Sequence, residues 1–186
     1  NFIVILVISI VVFGMGIYLM NKFFGAAQGK VLIWDDQMEQ EIEQLLDDGS
    51  KVAIPFYHKK IGNKQFDSFG IGIFNIVDAA ETNFKTTISF NALYQGQTKV
   101  CDSTGIPSSC VPNPNDWLRS TESDSGIITI EKTIKKFEQS KFLIGIDVIN
   151  AEKGTYLFDV VVKYEKSPGI WDSYDDQTHR LIVDVS

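Results

Sequence analysis

The chain has 186 residues, 44% of them apolar and 22% charged, and a net charge of −7. That balance suits a globular domain with a proper core, and it excludes a nucleic-acid binder, which needs a clustered basic face. The charge is uneven: residues 1–50 set two lysines against seven acids, a net of −5, while fifteen basic and seventeen acidic residues leave the remainder at −2.

Phe2 to Met20 contains no charged residue, and its only polar groups are Ser9 and Tyr18. As a helix it would extend about 28 Å, close to a hydrocarbon core. Signal peptides and N-in anchors open on Lys or Arg, whereas the first basic side chain here is Lys22. Asn1 is therefore expected to be a mature N-terminus left after removal of a basic leader. An apolar rod of this kind must be buried on every side, in lipid or among like rods. The residues expected to pack there are Phe2, Ile3, Ile5, Leu6, Ile8, Val11, Val12, Phe13, Gly14, Gly16, Ile17 and Tyr18. Gly25 and Gly29 form a further small-residue pair that permits close helix approach.

Beyond Gly29, Val31, Trp34, Met38, Ile42, Leu45 and Leu46 recur at helical spacing, and Gly49 supplies a natural stop. The pattern predicts one unbroken helix over residues 1–48, apolar in front and amphipathic behind, with the rear stripe packed on whatever follows. The expected domains are a helix at 1–49 and a head at 50–186.

From Lys51 the period changes to two. Strands are expected at Lys51–Tyr57, where Pro55 marks an edge or bend, and at Phe66–Ile76, Phe84–Tyr94, Gly126–Ile134, Lys141–Ile149, Thr155–Tyr164 and His179–Val185. Closely spaced strands without intervening helices argue for an antiparallel β-sandwich. The Gly154-Thr155-Tyr156 step resembles the tyrosine corner of immunoglobulin-like sandwiches, with Tyr156 bonding back across the corner. The fold class expected is thus α+β: a long N-terminal helix, then an antiparallel immunoglobulin-like β-sandwich. Cys101 and Cys110 enclose a flexible loop and are expected to form a disulfide, with two free thiols as the alternative. The Pro/Ser/Asn/Asp-rich stretch from Gln95 to Ser125 reads as an excursion at one end of the sandwich.

No catalytic motif is present: G-x-S-x-G, H-E-x-x-H, a phosphate-cradling glycine loop and C-x-x-C are all missing. No enzyme activity, metal or cofactor is expected. His58 and His179 sit beside basic residues and read as surface groups. Asp172, Asp175 and Asp176 flank Tyr174, an arrangement that suits either a calcium site or ordinary turn chemistry.

The layout resembles the type IV pilins, and more closely the archaeal pilin and archaellin superfamily. Residues 1–48 carry the resemblance in sequence, and the head carries it in architecture. Two departures stand out: bacterial pilins begin with Phe or Met and hold a Glu at the fifth position, where this chain has Asn1 and Ile5. The resemblance implies a leader peptidase cutting before Asn1, residence in the membrane, and an ATP-driven machine that builds a helical polymer from copies of the chain. The expected function is an extracellular filament subunit. The alternative is a membrane-anchored immunoglobulin-like envelope protein, a stator or envelope binder, that never polymerises. A permanent anchor favours Lys or Arg ahead of its span, which this chain lacks.

Overall fold

The structure is a computed structural model that describes residues 32, 34–105, 110, 112–121 and 126–186. The chain divides into two compact units at Val31/Leu32, and the second, Leu32–Ser186, carries the sheets. It holds one twelve-residue helix among the described residues, α1 (Asp36–Asp47). Eleven strands follow: β1 (Val52–Ala53), β2 (His58–Lys60), β3 (Phe66–Phe74), β4 (Glu81–Gln95), β5 (Thr98–Asp102), β6 (Leu118–Arg119), β7 (Ile128–Lys135), β8 (Gln139–Asp147), β9 (Gly154–Ser167), β10 (Ile170–Ser173) and β11 (His179–Val185).

The fold is therefore mostly β, which corrects the expectation of an α+β chain led by a long helix. A helix running unbroken to residue 48 is overturned at Asp35. That residue lies extended (φ −95°, ψ 126°), and its carboxylate accepts from the Gln37 amide at 3.0 Å. Asp is a poor helix-interior residue and a strong N-cap, so the Asp35-Asp36 pair starts a new helix where apolar spacing alone reads straight through. Asp36 and Glu39 then lie in the first turn, where the helix dipole favours acids. The far end closes as a Schellman turn: Ser50 N–H donates to Leu45 O, Gly49 N–H donates to Leu46 O (both 3.1 Å), and Gly49 takes φ +98°. Among the described residues no helix is long and apolar enough to cross a membrane. The residues assigned to the apolar rod, Phe2 to Tyr18, lie outside the described residues.

Two sheets face each other. The first has the order β1-β3-β8-β6, and the second runs β2-β11-β9-β4-β5, with β10 added on β9 and β7 on β4. The orders β1-β3-β8-β6 and β11-β9-β4 reproduce A-B-E-D and G-F-C of an immunoglobulin sandwich, each strand also falling in its proper place along the chain. The long strands β4 and β9 pair with each other from Phe84↔Tyr164 to Tyr94↔Thr155. Each also serves two shorter partners in series along its other edge. The strand expected at Lys51–Tyr57 is only β1, and β2 begins just beyond it at His58. Pro55 and Phe56 (φ +49°) turn the chain out of the first sheet, and β2 joins the second. There β2 runs parallel to β11, the one departure from antiparallel pairing among the described strands.

The core lies between the sheets. Phe69, Ile71 and Ile73 of β3 and Ile144 and Ile146 of β8 meet Ile88 and Phe90 of β4, Phe158 and Val160 of β9, and Leu181 and Val183 of β11, all buried. These are the alternate residues that period-two patterning assigns to one face.

Candidate functional site

The outer face of the first sheet is built to receive α1. In β3 the residues opposite the core are Gly70 and Gly72, and in β8 they are Leu143 and Gly145. A Cβ on Gly70 would stand 2.6 Å from Met38 Sδ and 2.7 Å from Ile42 Cδ1, and one on Gly72 would run into Ile42 Cγ2. Glycine here removes side chains so that a helix can lie directly on the strand backbone. A Cβ on Gly145 would strike the Phe66 ring and stand 3.0 Å from Leu32 Cδ2, so Leu32 is seated on the same face. Met38, Ile42, Leu46, Ala53 and Leu143 form a buried cluster here, separate from the main core, with Leu32, Leu45 and Phe74 packed around it.

Polar contacts lock the rim. Lys141 Nζ on β8 donates to Glu39 Oε1 and Glu43 Oε1, each at 2.6 Å. The two acids are one helical turn apart and so face the same strand residue. Partial burial pulls the Lys141 pKa down, but the bonds to Glu39 and Glu43 outweigh it and hold the ammonium above its ordinary value. Gln139 Nε2 donates to Asp47 Oδ1 at 3.0 Å at the other end of the helix.

Of the stripe read from the sequence, Met38, Ile42 and Leu46 are buried in this seat, and Leu45 flanks it. Trp34 is 37% exposed and departs from the expected packing, because the chain is not helical there. Val31 lies outside the described residues.

At the start of β9 the Tyr156 hydroxyl donates to Glu152 O at 3.0 Å, four residues upstream. Burial raises its pKa. Its ring packs 4.7 Å from that of Trp117, which is 1% exposed. Sequence patterning misses Trp117, which belongs to a stretch that reads as an excursion. Instead Trp117 and Leu118 enter the core, and Asn115 Oδ1 accepts from the Phe90 amide at 2.7 Å. Cys101 and Cys110 are joined in a disulfide with their Cα atoms 5.3 Å apart, tying β5 to the chain ahead of that core segment.

The three acids flanking Tyr174 separate. Asp172 pairs with Lys166 at 3.2 Å and Asp175 with His179 at 3.0 Å, while Asp176 borders a cleft with Tyr174. No cluster of metal-ligating side chains is present among the described residues. Tyr174 is fixed at both ends of its hydroxyl, which accepts from the Ile76 amide at 3.1 Å and donates to Phe74 O. His58 bridges β2 to β11 through Asp184 Oδ2 at 2.8 Å, and Thr155 Oγ1 donates to Asp184 Oδ1 at 2.6 Å. The Thr155 bond chiefly, helped by His58, holds the Asp184 carboxyl below its ordinary value against the effect of partial burial.

No protein-family model matches this chain, and neither does any curated protein. Among solved structures it is similar to the ASH/PapD-like domain of human CEP192, at 15% identity and TM-score 0.38, covering 73% of this chain and 83% of that one. It is also similar to a chaperone–tip adhesin complex of CFA/I fimbriae, at 10% identity and TM-score 0.39 over 72% of this chain and 55% of that one. A third is the CsuC–CsuE chaperone–tip adhesion subunit complex of Acinetobacter baumannii, at 9% identity and TM-score 0.35 over 73% and 56%. Likenesses this distant bear on neither assembly nor partners. The immunoglobulin-like assignment rests on the strand order itself.

Proposed function

We propose that this chain is a structural, non-catalytic subunit of an extracellular type IV pilus-like helical filament, held together by the apolar N-terminal segment. The observation that carries the reading is the uncharged run Phe2–Met20 placed ahead of an immunoglobulin-like head. The seat of α1 supports it, because the amphipathic helix that follows that run in sequence is fixed to a sheet face of the head. Before assembly the run would be solvated by lipid. In the filament, copies of itself would shelter it. Burying about 2,000 Å² of apolar surface is worth on the order of 50 kcal/mol against water but little against lipid. Extraction therefore calls for an energy-driven machine. That machine belongs to this proposal, as does placement at the cell surface.

The test is Ile5→Asp or Val11→Asp. A central acid costs about 2.5–3.5 kcal/mol per copy in apolar surroundings. Filaments should disappear while the thermal melt of the head stays unchanged. Filaments of normal yield and form from either variant would refute the reading.

A further inference from the structure

The cleft beside Tyr174 is independent of α1 and of the proposed polymer. Its volume is about 310 Å³, at the small end of ligand sites. Tyr164 and Tyr174 form its aromatic wall, with ring centroids 6.0 Å apart, and Ile76, 44% exposed, and Val77 supply the aliphatic side. Tyr174 cannot swing away, since its hydroxyl is held by two backbone groups and its ring stands edge-on to Phe84 at 4.7 Å. Lys51 Nζ lies 5.7 Å from the Tyr174 ring centroid, and Asp176 stands on the same rim.

These two charges are left over where their neighbours are matched. Asp172 of β10 has Lys166, and Asp175 of the β10–β11 loop has His179. Among the described residues neither Lys51 nor Asp176 has an ion-pair partner, and the two do not pair with each other. An unpaired cation and an unpaired anion on the rim of a cleft walled by Tyr164, Tyr174 and Ile76 are complementary to a small molecule bearing both charges on an apolar body. We propose that this cleft binds a free α-amino acid with an aromatic or aliphatic side chain. Lys51 takes its carboxylate, Asp176 its ammonium, and the Tyr164, Tyr174 and Ile76 surface its side chain.

The experiment titrates the full chain in detergent with L-phenylalanine, phenylalaninamide and N-acetylphenylalanine, read by calorimetry and saturation-transfer NMR. Phenylalanine should bind saturably, and each capped derivative about tenfold more weakly, the equivalent of one charge-assisted contact. Lys51→Met should erase the difference between phenylalanine and its amide. Asp176→Asn should erase the difference from the N-acetyl derivative. Both side chains are exposed, so an unchanged melting temperature should accompany both variants. No saturable binding at millimolar ligand would overturn the proposal, as would binding indifferent to the caps or to both substitutions. The filament reading stands or falls separately, since neither variant touches Phe2–Met20.

Discussion

The outer faces of the two sheets solve opposite problems. On the first sheet, Gly70, Gly72 and Gly145 strip the face bare, and α1 and Leu32 are laid against it. On the second, the same alternate positions carry ions that meet water. Lys85 pairs with Glu131 at 2.7 Å and Arg180 with Asp159 at 3.0 Å, Asn83 donates to Glu165 at 2.7 Å, and the Lys85 ammonium lies 4.3 Å from the centre of the Trp171 ring. One face is thus specified by what is missing and the other by what is exposed. A glycine at alternate strand positions marks the approach of another element as surely as a charge marks solvent.

The sharpest way to break this contrast is Ile42→Ala, which opens a cavity between α1 and the glycines. It should cost about 2–5 kcal/mol in denaturant unfolding. A loss below about 1 kcal/mol would mean that the seat contributes little. Next comes Gly72→Ala, a single methyl driven into Ile42, with an expected cost of about 1–3 kcal/mol. The matched control is Lys163→Ala on the exposed face of β9, which should change stability by no more than about 0.5 kcal/mol. Equal effects from the two would erase the distinction between the faces.

The smallest effect concerns Asp184 on β11. Its pKa is lowered in the fold, so its contribution is present above the unfolded carboxyl value near pH 4 and disappears as pH falls through the lower folded value. Thr155→Val removes the main cause of that shift. Melts taken from about pH 5 downward should show a shallower acid loss in the variant than in the parent, and superimposable acid limbs would contradict the assignment.

Legibility in the sequence follows the same physics. β3, β4, β7, β8, β9 and β11 are seven or more residues long and each turns an apolar face to the core, so their length and pattern show them. β2, β5, β6 and β10 have two to five residues, mostly exposed or half-buried, and carry too little pattern to stand out. The helical side of the seat is readable through Met38, Ile42 and Leu46. Its sheet side is not, although Gly70 and Gly72 stand in plain view within Phe66–Phe74, because a glycine adds nothing to an apolar period. The start of α1 is hidden for a related reason. Trp34 and Val31 continue the apolar spacing, but a carboxylate cap at Asp35 is a local contact that periodicity does not register. Trp117 escapes because a loop-like composition surrounds a single buried ring.

The most direct test of the proposed assembly is electron microscopy of material sheared from the surface of cells that make the chain, where the assembly machinery is present. The account predicts thin helical filaments with the immunoglobulin-like heads on the outside and an apolar core. Recovery of the chain only as single molecules in the membrane fraction of those cells, with no filament, would contradict it.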